Sequence, residues 1–207
     1  MSTPGDANGA SPVEAAIAHL SHTPWCAALL ANPAWTPTPT ASRTPKPTTE
    51  DSFFAVTLNT PRTIRACLTL RPTTPAPADP AFPHVMTLLD LGSALNGHAG
   101  IAHGGLVATL LDETCGVLIT LNLEYKVARM RMREAGDLGA QAGMNGFTAY
   151  LNTRYKRPVP TPGVVLCRAR FVRQEGRKMF VEATVEDGRG VEYAVGEGMF
   201  VEVKTKL

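Results

Sequence analysis

Apolar residues recur at helical spacing across residues 104–121, with Val107, Leu110, Leu111, Leu118 and Leu121 on one face and Leu106 and Val117 widening it. A helix apolar over most of its circumference is predicted to be buried and central. Ahead of it, Val85–Leu91 reads as a strand, followed by a glycine-rich loop at 92–102. Behind it, Phe147, Ala149, Leu151, Thr153 and Tyr155 alternate with Thr148, Tyr150, Asn152, Arg154 and Lys156, the period of a strand over 147–156. Strands over 164–173 and 178–186 follow, joined by the turn Glu175-Gly176-Arg177, and Asp187-Gly188 turns the chain into a last strand at 191–203. Gly196 and Gly198 interrupt that strand and suggest a bulge.

The N-terminal part is less regular. Ser11, Pro12 and Glu14 form a helix start, predicting a helix over 12–20 with a second piece at 24–31. Residues 33–49 carry so many Pro and Thr that an extended linker is expected. Residues 63–70 fit a strand or a short helix, and 71–83, with five prolines, form a loop. Mixed charge, glycine and methionine break the helical pattern over 122–146.

The order of strand, buried helix and four-stranded meander predicts an α+β fold with a long central helix wrapped by a curved antiparallel sheet. Residues 1–50 form an N-terminal extension, 51–84 a connecting segment, and 85–207 the main domain with an insert at 122–146. The sheet edge needs cover, which a second copy would supply. With 207 residues, 44% hydrophobic and 18% charged, the chain fits one core with appendages. A net charge of +2 does not favour nucleic acid, and no apolar run is expected to span a bilayer. Cys26, Cys67, Cys115 and Cys167 match no metal or redox spacing, so reduced thiols are expected, with Cys115 as buried filler. The start of the chain lacks the features of a secretory signal, and the cytoplasm is the expected compartment, ahead of the mitochondrion.

The chemistry concentrates between Asn96 and Glu113. Gly104 and Gly105 let a ligand approach the backbone at a helix start, where N–H groups lack partners and the macrodipole is positive. Such a terminus polarises a carbonyl and stabilises its oxyanion. Asp112 supplies an acid, base or nucleophile in an otherwise apolar helix, so the combination points to acyl chemistry. Gly105 and Asp112 lie on nearly one face but about 10 Å apart along the axis. That separation favours a site shared between antiparallel copies. Glu113 is expected to form an ion pair at an interface or in solvent. His103 joins the catalytic candidates, with loop-fixing as its other role, and His98 is a loop residue or a substrate contact.

Ala102-His103-Gly104-Gly105, Ala108 to Asp112, Leu151-Asn152 with Tyr155-Lys-Arg-Pro158, and Glu175 to Lys178, in this order, resemble the hotdog-fold acyl-CoA thioesterases of the PaaI-like group and their animal thioesterase-superfamily relatives. The resemblance runs from about Val85 to Val203. It implies a carboxylate at Asp112, a carbonyl-binding N–H at Gly104, an assisting hydroxyl at Thr148 and a homodimer or tetramer. Asn96 matches an Asn that precedes Gly-His in the group, with one more residue before His103. Substrate contacts are expected at Gly105, Asn96, His98, Asn152, Lys156 and Arg157, with Arg177 and Lys178 as further cations for CoA phosphates. The implied substrate is an acyl-CoA or an acyl-carrier thioester. Neither a metal nor a cofactor is expected beyond the CoA of the substrate. Asp112 would activate water or attack directly. The basic stretch Lys126–Arg133 reads as a helix extension, a lid or a second phosphate contact, with a mobile lid preferred, and Met130, Met132 and Met144 as an adaptable pocket wall or as helix filler. A non-catalytic acyl-binding protein on the same scaffold is the alternative of another class. A dehydratase is disfavoured, because no second His lies on the helix.

Overall fold

The computed structural model describes residues 10–133 and 144–204. Helix α1, Pro12–Leu20, starts at a complete capping box: the Ser11 hydroxyl accepts the Glu14 N–H, and the Glu14 carboxylate accepts the Ser11 N–H at 2.7 Å. Helix α2, Pro24–Leu30, follows a short turn. Then come strands β1 (Trp35–Thr38), β2 (Ile64–Pro72) and β3 (His84–Leu91), and a small hairpin of β4 (Asn96–His98) and β5 (Ile101–Ala102). Helix α3 runs over Gly104–Arg133, followed by β6 (Met144–Tyr155), β7 (Gly163–Glu175), β8 (Lys178–Glu186) and β9 (Glu192–Lys204).

Seven strands pair antiparallel in the order β1-β2-β3-β7-β8-β9-β6, and α3 lies across β3 and β6 to β9. This is the hotdog arrangement that the resemblance implied. The N-terminal helices add a layer on the opposite face. On β3, Val85, Leu89 and Leu91 pack toward α3, while Met86 and Leu88 join Leu20, Cys26, Leu68 and Leu70 beneath α1 and α2. Cover on both faces explains why β3 reads as a continuous apolar run rather than an alternating one.

Several expectations change. The Pro/Thr-rich stretch holds β1, which pairs Trp35 to Thr38 with Pro72 to Thr69 at the outer edge of the sheet. An edge strand tolerates Pro37, since one side needs no donor. The undecided segment 63–70 is strand β2, and Ile64 belongs to the main core together with Phe54 and Leu58.

Helix α3 does not stop at 121. Its continuation packs on the loop before β3, where the Asn122 side chain bonds both the N–H and the carbonyl of Phe82 at 2.8 Å and Tyr125 meets the Phe82 ring edge-on. Residues 104–129 are therefore long and apolar enough to cross a membrane by length and composition, contrary to expectation. Half of the most apolar stretch is buried against the sheet, as in a core helix. Of the expected lid, 122–133 extend α3 and 134–143 lie outside the described residues. Met132 is 85% exposed, and the side chains of Met130 and Met144 lie outside the described set.

Among β6 to β9 the register shifts fall at Thr148/Tyr150, Phe171/Arg173 and Val185/Glu186, with regular pairing at Gly196 and Gly198. Those glycines serve close packing instead. A Cβ on Gly196 would come within 3.2 Å of the Leu111 Cβ, and one on Gly198 within 2.9 Å of the Phe200 ring. Gly188, with φ 72°, turns β8 toward β9, and a Cβ there would overlap the Trp25 ring of α2. Replacing Gly188 by Ala is expected to cost about 2 kcal/mol, through left-handed backbone strain and a displaced indole. Urea unfolding monitored by tryptophan fluorescence would check this; an unchanged midpoint would refute it.

Candidate active site

The start of α3 is built by the loop before it. The His103 N–H donates to the Leu95 carbonyl at 2.9 Å, and its Nδ1 accepts the Gly105 N–H at 3.0 Å, so the imidazole caps the helix. Gly97 permits this fold-back, since a Cβ there would sit 2.9 Å from the His103 Cα. The Gly104 N–H donates to no group among the described residues. The Gly104 carbonyl accepts the Tyr155 hydroxyl at 2.9 Å, so β6 is tied to the helix entrance. Sequence reasoning placed Tyr155 only within a motif and assigned it no role. Its period-two spacing from Thr153 was the available signal.

Two turns into the helix, Asp112 is half-buried, and its Oδ1 accepts the Thr148 hydroxyl at 2.9 Å. Thr148 stands beside a bulge in which Ala149 is the extra residue of β6 against β9. Bulges re-aim side chains, and this one marks where the strand bends over the acid. Strand β6 is the open edge of the sheet and exposes Phe147, Tyr150 and Tyr155 at 60%, 43% and 56%. Gly104 and Asp112 are eight residues apart on α3, roughly 12 Å along its axis. Within one chain they do not converge on a single carbonyl.

Glu113 points elsewhere. The Ser42 hydroxyl donates to it, so it faces the N-terminal segment rather than a partner or solvent cation, contrary to expectation. Arg43 pins that segment, donating to the carbonyls of Phe54 and Ile64 at 3.0 Å and of Leu58 at 3.1 Å. Burial raises the Glu113 carboxyl to about 6, with the charges of Asp51 and Asp112 adding and Ser42 and Arg43 opposing. Because the folded value exceeds the ordinary carboxyl value of 4.5, the protonated form favours folding, and stability falls as pH rises through 4.5 to 6. Glu113→Gln is therefore expected to gain about 2 kcal/mol relative to the parent between pH 4 and pH 8. Denaturant titrations at both pH values would measure it, and a pH-independent difference would refute it.

Other candidates are placed as follows. Asn96 bonds the Thr161 side chain and ties the loop to the β6–β7 turn. His98 and Asn152 are exposed on β4 and β6. Lys156 forms an ion pair with Glu192, and Arg157 donates to the Glu192 carbonyl at 3.0 Å. This pair lies at the Tyr155 end of the sheet, beside Gly104. Arg177 and Lys178 lie at the far end, where Lys178 pairs with Val201, so the four cations do not gather as expected. Burial raises the Cys115 thiol strongly, leaving it inert. Among the described residues, no group of three His, Cys, Asp or Glu could hold a metal ion.

Residues 99–194 match the Thioesterase superfamily model. The matched stretch carries α3 and strands β6 to β8. The acyl-coenzyme A thioesterase THEM4 of Mus musculus is 33% identical over 101 residues, 49% of this chain and 35% of its own length. The verlamelin biosynthesis protein B of a Lecanicillium species is 28% identical over 164 residues, 72% of this chain and 71% of its own. A Bacillus halodurans protein solved with CoA is 26% identical, covering 57% of this chain and 66% of that one, with a TM-score of 0.43. The chain spans little more than a third of the length of the THEM4 proteins it matches.

Proposed function

We propose that this chain hydrolyses an acyl-CoA thioester to the free acid and CoA at sites shared between two antiparallel copies. The observation that carries the reading is the Thr148–Asp112 hydrogen bond at the open sheet edge, on a helix whose glycine start has an N–H without a partner among the described residues. The thioester oxygen binds the Gly104 N–H of one copy, where the helix dipole stabilises charge as the carbonyl is attacked. Asp112 of the other copy takes a proton from water, and Thr148 holds Oδ1 so that Oδ2 meets the nucleophile. The tetrahedral intermediate collapses with loss of the CoA thiolate, which recovers the proton from Asp112. Lys156 and Arg157, at the strand end beside Gly104, suit the phosphates of CoA.

A second reading is release of an acyl product from a carrier protein. It is supported by the relative that aligns over most of its own length, which is named for the biosynthesis of verlamelin. The test is thiol release from short, long and aromatic acyl-CoAs run beside carrier-bound thioesters. Turnover of CoA thioesters upholds the first reading and turnover of carrier thioesters alone the second. Binding without thiol release would mark a non-catalytic protein.

A further inference from the structure

Helix α3 opens on two glycines, which hold a helix start loosely, and His103 rather than Ser, Thr, Asp or Asn stands before them. A donor stabilises an oxyanion best where its direction is set before the charge develops. Side-chain contacts therefore have to help fix Gly104, and they close on the peptide units that flank its Cα. In the unit after it, the Gly104 carbonyl accepts the Tyr155 hydroxyl at 2.9 Å, and the Gly105 N–H donates to the His103 Nδ1 at 3.0 Å. A peptide unit is planar, so bonds at both ends block its rotation. In the unit before it, the His103 carbonyl accepts the Val107 N–H at 3.1 Å. The Gly104 N–H belongs to this second unit, and its direction follows from the two planes. Atoms of the Tyr155 phenol also stand 3.7 to 3.8 Å from where a Cβ on Gly104 would be.

The Tyr155 bond is not needed to hold β6. That strand is paired with β9 along its length, and the tyrosine is 56% exposed, where water would bond the hydroxyl as well. The bulge supports a role toward α3. Thr148 and Tyr155 are seven residues apart, an odd number, so a regular strand would point them to opposite faces. With Ala149 as the extra residue, their partners on β9 are Phe200 and Ala194, six apart and so on one face. One strand thus reaches both ends of the catalytic stretch of α3, with Thr148 on Asp112 and Tyr155 on Gly104.

Resting on the thioesterase reading, we infer that Tyr155 is a positioning residue that, with His103, holds the Gly104 N–H toward the thioester oxygen. Between antiparallel copies, each β6 then sets the carbonyl donor of one shared site and the acid of the other.

Tyr155→Phe keeps the ring and removes the hydroxyl. Its kcat on an acyl-CoA is expected to fall about tenfold, less than for loss of the donor itself, with KM within about twofold of the parent. The decisive measurement is a double-mutant cycle. In Gly104→Pro, which has no N–H to direct, Tyr155→Phe should cost less than about twofold; in Thr148→Ala the tenfold loss should remain. A tenfold loss that persists in Gly104→Pro would give Tyr155 a role apart from Gly104 and overturn the inference. A loss carried by KM, or matched by a fall in melting temperature, would overturn it too. Amide hydrogen exchange at Gly105, followed by NMR, reads the clamp whether or not the chain turns over any ester. It should quicken about tenfold in Tyr155→Phe while exchange along β6 stays as in the parent, and unchanged exchange at Gly105 would show that no clamp exists. Absence of hydrolysis in the parent overturns the function, and the exchange still decides the clamp.

Discussion

Asp112→Asn should lower kcat on acyl-CoA by about two to four orders of magnitude, the range for removal of a general base. The folded protein should survive the change. Asp112 is half-buried, and its hydrogen-bond partner among the described residues is the Thr148 hydroxyl, which can donate to an amide oxygen as well as to a carboxylate. A parent-like circular dichroism spectrum and melting temperature would confirm that chemistry alone was lost. Thr148→Ala should cost less, because it removes the positioning bond and leaves the base. Turnover of Asp112→Asn near the parent value would remove the acid from the mechanism. Label found in the Asp112 carboxylate after a single turnover in oxygen-18 water would show direct attack, through a mixed anhydride that water opens at the Asp112 carbonyl.

The helix and the meander were legible because their burial is one-sided or nearly complete, which leaves a clear period in the sequence. Val107, Leu110 and Leu111 on α3, and Val165, Cys167 and Ala169 on β7, repeat as their partners require. Strand β1 was not legible. Its four residues hold Pro37 and two threonines, and the pairing with β2 depends on residues more than thirty positions away. The continuation of α3 was harder to read, because mixed charge, glycine and methionine break the apolar period over 122–146 and the Phe82 backbone that Asn122 bonds lies 40 residues away. In the site, the glycine start and Asp112 could be read directly, whereas the role of Thr148 came from the resemblance. Glu113 was misassigned because Ser42 lies 71 residues away in sequence, and no local pattern carries that contact.

Mixing two inactive variants should restore activity if the site is shared. Gly104→Pro removes the N–H proposed to hold the thioester oxygen, while proline suits the first position of a helix. A Cβ at 104 would make only ordinary contact with the Tyr155 ring, at 3.7 Å. Loss of one oxyanion donor is expected to lower kcat by about two to three orders of magnitude. In a hybrid of Gly104→Pro with Asp112→Asn, one site carries both lesions and the other carries neither. Random re-pairing after mild denaturation makes half of the dimers hybrids, each with one intact site of two, so about 25% of the parent activity should return. Were both groups to act within one chain, every site in the mixture would carry a lesion and nothing would be recovered. The roughly 12 Å between Gly104 and Asp112 on a rigid helix makes recovery the expected outcome.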